Sequence, residues 1–187
     1  MVKKDFRDIL ETLKLDICLS RATDSSLIEI AQTAQRLKFL KGEYIFIDGD
    51  ASEYFYLVES GRVVLSKDAP SGKAFTFLIA TRGLPLNAVA CFKPRPRFFS
   101  ARAVEKTMVI AIPSPAFKQW VLENADVAAC ILDTMGNLLD GAYTRILDLI
   151  DESAEQRILN ALNMLSLRIG PDLPMTNHDI ADMTGTS

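Results

Sequence analysis

The sequence predicts an α+β protein in which an antiparallel β unit lies between helices and is followed by a long helix and further helical segments. The first observation is that apolar residues repeat every two positions between residues 36 and 112, which is the period of strands. The second is a heptad pattern between about Asp126 and Ile150, which predicts one long helix. The third is a short capped helix near the C-terminus, starting after Thr176.

The segment before the β unit has helical periodicity. Phe6, Ile9 and Leu13 recur at the spacing of one helix face, and a second helix is predicted to begin at Asp24 or Ser25. From Arg36 onwards the period becomes two, and short strand-like runs are separated by turn residues, which favours a sandwich or barrel. Glycines mark the turns of this unit at Gly42, Gly49, Gly61, Gly72 and Gly83.

The long helix carries an apolar seam whose members are spaced alternately three and four residues apart. This a/d spacing predicts a parallel homodimer; the alternative is a helix buried within its own domain. A second apolar set beside it, Ile131, Leu138 and Leu147, is placed to cover the β unit. The seam consists of Leu132, Met135, Leu139, Ala142, Ile146 and Leu149.

The C-terminal segment reads as the first half of a helix-turn-helix. A hinge at Asp151–Ser153 leads into an amphipathic helix over residues 154–169. Thr176 then caps a short helix, Gly185 ends it in a left-handed conformation, and Ser187 would cap the next helix. Thr176 and Ser187 are therefore the candidate DNA-binding residues. Without the helix that reads base edges, we expect no specific operator binding by the residues present; the alternative is a frayed terminal helix.

Composition excludes several classes of function. The net charge of −3 argues against an extended nucleic-acid groove, and no apolar run reaches membrane-spanning length. Three scattered cysteines without a Cys-x-x-Cys motif argue against a disulfide framework and an iron–sulfur cluster, and fit a reducing cytoplasm. The single histidine, His178, and the absence of paired carboxylates or a Ser/His/Asp set argue against an enzyme. No metal site is predicted.

The order of these elements resembles the CRP/FNR family of bacterial transcription regulators. The residues that carry the resemblance are Phe39–Glu43 with Ile47–Asp50, Tyr54–Val58 with Ser60–Val63 around Gly61, Arg157–Leu159, and Thr176–Ser187. The resemblance implies a β-roll sensor of the cyclic-nucleotide-binding fold at 1–123, a dimerisation helix at 124–151, and part of a winged-helix DNA-binding domain at 152–187. It also implies a cytoplasmic homodimer whose partners are DNA and RNA polymerase.

The same resemblance locates an effector pocket. Arg97 falls on the position of the arginine that holds the cyclic phosphate in family members that bind cyclic AMP. The neighbouring serine is replaced by Phe98, and the ribose-binding glutamate by Ala88 or, with a different gap, by Asn87. On the long helix, Tyr143 replaces a polar residue that meets the purine.

These departures disfavour cyclic AMP and leave the effector unknown. Arg95, Arg97 and Arg102 keep the segment cationic, which is compatible with a small anionic effector; for Arg95 and Arg102 the alternative is a solvated basic loop. Haem in an apolar pocket lined by Phe92, Phe98 and Phe99, and redox sensing at Cys91, remain alternatives within the family. A sensor module without DNA function is a third reading.

Overall fold

The computed structural model describes residues 2–68, 74–86, 88–93, 95–151, 153–170, 173 and 175–185. The chain forms two compact units, one of residues 1–65 with 78–133 and the other of residues 66–77 with 134–187. Short 3-10 helices span Leu19–Arg21 and Ala88–Phe92. The helices are α1 (Val2–Leu13), α2 (Asp24–Ala31), α3 (Ser114–Glu123), α4 (Ala125–Asp151), α5 (Ala154–Ile169) and α6 (Asn177–Thr184). The strands are β1 (Gln35–Phe39), β2 (Tyr44–Phe46), β3 (Tyr54–Ser60), β4 (Val63–Asp68), β5 (Ala74–Ala80), β6 (Ser100–Ala103) and β7 (Thr107–Pro113).

The strands form two sheets, which confirms the α+β prediction. One sheet has the order β1-β7-β3, with both pairs antiparallel, and the other has the order β2-β6-β4-β5. Strand β2 is an edge strand, pairing antiparallel with β6 so that Tyr44 lies opposite Arg102 and Phe46 opposite Ala101. The described residues contain no helix that is both long and apolar enough to cross a membrane.

Alternation along β3 sends its side chains to two different environments. Phe55 and Leu57 join the main hydrophobic core, where Phe55 stacks on Phe117 of α3 with ring centroids 3.9 Å apart. Tyr56 points to the opposite face, because successive side chains of a strand alternate, and there it stacks on Phe46 of β2. The interior between β2 and β3 is therefore aromatic, and it forms the surroundings of the candidate site.

The only tryptophan of the chain, Trp120, links α3 to α2. Its indole Nε1 donates to Ser26 O at 2.9 Å and lies 2.7 Å from Ser26 Oγ. The Ser26 hydroxyl in turn donates to Asn124 Oδ1 at 2.8 Å, and the Asn124 amide donates to Trp120 O at 2.7 Å. Asn124 is the residue that separates α3 from α4, so this network fixes the corner at which α4 begins.

A bidentate ion pair connects β1 and β3 across β7. The guanidinium of Arg36 donates through Nε to Glu59 Oε2 at 2.8 Å, and its Nη2 lies 2.8 Å from Glu59 Oε1. The side chain of Glu59 is buried, so the pair replaces much of the hydration that the carboxylate loses on folding.

Helix α4 confirms the predicted long helix within one residue at each end. Its predicted seam faces solvent in this single chain: Leu132 is 67% and Leu139 54% exposed. The second apolar set behaves differently from the expectation. Ile131 packs against the core of the first unit, but Leu138 and Leu147 are exposed because they lie beyond the residues of α4 that belong to that unit.

The second unit contains the C-terminal part of α4 with α5 and α6. Ser153 caps α5 by accepting from Gln156 N, and Thr176 and Asp179 form a reciprocal capping box at α6. Gly185 ends α6 in the left-handed conformation, as the sequence predicts. Arg157 of α5 donates through Nε to Thr184 O at 3.2 Å and thereby joins the two helices.

Candidate effector site

The backbone of Arg97 is held by the turn between β2 and β3. Arg97 N donates to Asp50 O at 2.8 Å, and Gly49 N donates to Arg97 O at 2.9 Å. The turn closes on itself, because Asp50 N donates to Ile47 O at 3.1 Å and Ile47 N donates to Asp50 Oδ2 at 2.8 Å. Gly49 lies at φ +93°, which favours glycine at this position. Arg97 is thus fixed at both its N–H and its carbonyl.

The side chain of Arg97 turns inward. It is only 3% exposed, and its guanidinium carbon lies 3.8 Å from the centroid of the Phe46 ring and 5.3 Å from that of Tyr56. Nη2 donates to Tyr54 O at 2.6 Å. In the part of the chain that the structure describes, Nε and Nη1 find no acceptor although both are buried. The site is therefore a cation stacked on an aromatic face with donors left over.

Burial also changes the acidity of the groups around this arginine. It lowers the pKa of Arg97 from its ordinary value, an effect opposed by Cys91, Tyr56 and Asp50. Burial raises the pKa of Tyr56, against the opposing influence of Arg97. Both shifts express one cause, which is that the interior between β2 and β3 disfavours a net charge. An anion that entered it beside Arg97 would neutralise the guanidinium.

Cys91 lies on the 3-10 helix Ala88–Phe92 and lines an open cavity of about 430 Å³. Its Sγ is 3.3 Å from Ser114 Oγ, which is itself within hydrogen-bond distance of Ser52 O. Burial raises the pKa of the Cys91 thiol, partly offset by the Ser114 hydroxyl and Arg97. A neutral thiol is a poor nucleophile, so this environment does not favour redox sensing at Cys91. Within the described residues, no cluster of three metal-binding side chains forms.

The other predicted effector residues fall in several places. Ala88 begins the second 3-10 helix and packs against the hydrophobic core, whereas Asn87 lies outside the described residues. Phe98 is 68% exposed and meets Phe99 edge to face, while Phe92 packs against Phe117. These contacts put Phe92 in the core and Phe98 at the surface, so the expected apolar pocket of Phe92, Phe98 and Phe99 is replaced by two separate pairs.

Tyr143, the remaining predicted effector residue, lies on α4 in the second unit and is exposed. In the same unit, Thr176 has its predicted capping role, and Ser187 lies outside the described residues. His178 pairs with Asp182 one turn later, with Nε2 3.5 Å from Oδ2. The predicted roles of these residues toward an effector or DNA remain predictions.

The sequence reasoning did not identify the residues that surround Arg97. Phe46, Tyr54 and Tyr56 supply the aromatic faces and the carbonyl acceptor. The alternation in β3 already indicated that Tyr54 and Tyr56 share a face opposite to Phe55. That pairing of tyrosines on one side of a strand is the pattern that could have located the interior wall.

Comparison with known proteins gives a consistent result. Residues 36–124 match the family described as the cyclic nucleotide-binding domain. The chain is 22% identical over 171 residues to a CRP-like cAMP-activated global transcriptional regulator of Mycobacterium tuberculosis, covering 87% of this chain and 76% of that protein. It is 28% identical over 154 residues to the cyclic AMP receptor protein of Thermus thermophilus, covering 82% of this chain and 71% of that protein.

The fold comparison agrees. The structure of FixK2 from Bradyrhizobium japonicum superposes with a TM-score of 0.69 at 22% identity, covering 81% of this chain and 77% of that one. The mycobacterial relative is a transcriptional regulator, which agrees with the prediction that this chain is not an enzyme.

Proposed function

We propose that this chain, which contains a cyclic nucleotide-binding domain and is homologous to regulators of the CRP/FNR family, acts as an effector-responsive, DNA-binding transcription regulator. The observation that carries the proposal is the apolar seam along α4: Leu132, Leu139 and Ile146 are each more than half exposed, and Met135 between them is partly exposed. A stand-alone binding module gains nothing from such a stripe in water, whereas a dimeric regulator buries it against a second copy.

The dimer is tested by placing a charge in the seam. Replacing Leu139 with Lys removes a leucine whose full burial is worth about 1.5–3 kcal/mol and puts two ammonium groups into the shared seam. Static light scattering should give a dimer for the native protein and a monomer for Leu139→Lys. The matched control is Leu167→Lys, because Leu167 is a more exposed leucine that lies on α5, off the seam, and should leave the dimer intact. A Leu139→Lys dimer would contradict the seam.

The effector we propose is a small anion held by Arg97, with Asn87, Ala88, Phe98 and Tyr143 as the remaining predicted contacts. The support is that Arg97 is a buried cation with two N–H donors that meet no acceptor within the described residues. Because neither Ala88 nor Asn87 offers a carboxylate for a ribose hydroxyl, cyclic AMP is not the effector we propose, although it is named for the mycobacterial relative.

Native mass spectrometry of freshly purified protein tests the effector and the dimer together. We expect a dimer that carries a small anion or no added mass, and no retention of added cyclic AMP. An increment of the size of haem, or tight retention of cyclic AMP, would contradict the proposed effector class. The dimer seam would still stand in that case.

DNA is the second proposed partner, bound in the cytoplasm together with RNA polymerase as in a dimeric activator or repressor. Helix α6 with its capping box and the left-handed Gly185 is what the first helix and turn of a helix-turn-helix require. Thr176 and Ser187 are the proposed DNA-binding residues of this segment. Selection from a random duplex pool by the protein as its gene encodes it should enrich two-fold symmetric sites with half-sites about 10 base pairs apart. No enrichment would favour a sensor module without DNA function.

A further inference from the structure

Arg97 has N–H donors that are unsatisfied within the described part of the chain, as an anion-binding residue should, but it is also buried, which keeps an anion away from those donors. Its Nε and Nη1 meet no acceptor among the described residues, which indicates that the donor set is incomplete. The residue is nevertheless only 3% exposed, so an anion from solvent does not reach those donors in the conformation seen. Binding therefore requires the guanidinium or its surroundings to move.

We propose that Arg97 is an internal ligand of its own pocket, and that an anionic effector binds only when the guanidinium leaves the Phe46 ring and the Tyr54 carbonyl. The proposal rests on the proposed function, because it concerns how that anion site is opened. In the conformation seen, the aromatic face at 3.8 Å and the acceptor at 2.6 Å partly satisfy the cation, which makes this a closed state competing with the effector.

The closed state is coupled to the turn between β2 and β3. Arg97 and this turn exchange two backbone hydrogen bonds, from Arg97 N to Asp50 O and from Gly49 N to Arg97 O. Phe46, the aromatic partner, is the last residue of β2 and immediately precedes the turn. Release of the guanidinium from Phe46 therefore changes the packing at the end of β2. Because Phe46 immediately precedes the turn that holds the Arg97 backbone, this change displaces the turn as well. An effector would act on the sensor through this edge strand.

The movement of the Arg97 guanidinium away from Phe46 and the Tyr54 carbonyl is called the gate below. Arginine side-chain NMR follows this movement directly. The Nε–H proton of Arg97, assigned by its loss in Arg97→Lys, should be shifted upfield by the Phe46 ring and should exchange slowly with water in the protein alone. Titration with inorganic phosphate should remove the upfield shift as the guanidinium leaves the ring. This measurement is made on the native protein and does not depend on whether any Phe46 variant folds.

A pair of variants tests the competition. Phe46→Leu removes the cation–π contact from the closed state, so phosphate should bind between about 2-fold and about 30-fold more tightly than to the native protein. Tyr44→Leu is the matched control, because Tyr44 is an exposed aromatic residue on the same strand opposite Arg102, and it should leave phosphate affinity unchanged.

The outcomes separate the gate from the anion site. If phosphate binds, as seen by shifts elsewhere, while the Arg97 Nε–H stays upfield, the gate is wrong and the anion site stands. If Phe46→Leu binds phosphate no more tightly than native protein, the gate is also wrong. If neither protein binds phosphate and the Arg97 signal never moves, the proposed effector class fails and the gate fails with it.

Discussion

Gly61 offers the sharpest test of how this β unit is built, since it lies at the turn between β3 and β4 with φ +86°. A Cβ at this position would lie 2.7 Å from Lys106 O, 2.8 Å from Thr107 Cα and 2.5 Å from Thr107 Oγ1. Two of these atoms are backbone, and Thr107 is fully buried, so the obstacle cannot rotate away. Gly61→Ala should therefore suffer both backbone strain and a steric clash.

Gly42 separates the two effects. It has φ +93°, and a Cβ there would meet nothing within 4 Å, so Gly42→Ala should suffer only the strain of a left-handed alanine, about 1–2 kcal/mol. Gly61→Ala should lose the same amount plus about 1–3 kcal/mol for forcing an extra methyl group into packed surroundings. The additional loss arises entirely from the contact with residues 106 and 107.

Urea unfolding followed by circular dichroism measures the difference. With a slope of about 2 kcal/mol per molar urea, the Gly61→Ala midpoint should lie about 0.5–1.5 M below that of Gly42→Ala. Both variants should lie below the native protein. Equal midpoints for the two variants would refute the reasoning, because they would mean that the turn relaxes freely around the added methyl group.

Two further predictions concern buried charge. Burial raises the pKa of Asp16 above its ordinary 3.8, so the native protein loses stability as the pH rises through that raised value. The variant Asp16→Asn keeps the Oδ1 that accepts from Cys18 N and Leu19 N but lacks the charge. Urea midpoints of the two proteins should agree below about pH 3.8 and favour Asp16→Asn at pH 7; a native advantage at pH 7 would show that the assigned sign is wrong. Arg36→Met should cost about 3–5 kcal/mol of unfolding free energy by leaving Glu59 buried and unpaired, and Arg36→Met with Glu59→Leu should recover most of it. A double variant as unstable as the single one would show that the pair itself stabilises the fold.

Local periodicity predicted helices and strands well where the pattern of apolar residues along one face of the element determines its type and bounds. The heptad pattern placed the long helix at Asp126–Ile150, against Ala125–Asp151 in the structure, and the second helix, predicted to begin at Asp24 or Ser25, begins at Asp24. The cap at Thr176 was predictable because a threonine side chain satisfies amides only a few residues away. These features depend on neighbours in sequence.

The features that sequence reasoning missed depend on distant partners. The direction of the Arg97 side chain is set by Phe46 and the Tyr54 carbonyl; Tyr54 lies 43 residues before Arg97 in the chain, and Phe46 lies farther still. The exposure of Leu138 and Leu147 depends on how far along α4 the first unit extends, which periodicity does not report. The pairing of Arg36 with Glu59 crosses an intervening strand, so neither residue indicates the other in sequence.

Trp120 gives the protein a built-in optical probe. An indole held by Ser26, and enclosed so that only 4% of it is exposed, emits according to the polarity of that one corner, and no second tryptophan contributes to the spectrum. Because Asn124 belongs to the same network and directly precedes α4, a displacement at the base of the long helix would register as a change in emission wavelength or intensity. Small anions proposed as effectors can therefore be screened on the unlabelled protein in a plate reader, with the signal arising where α3 and α4 join.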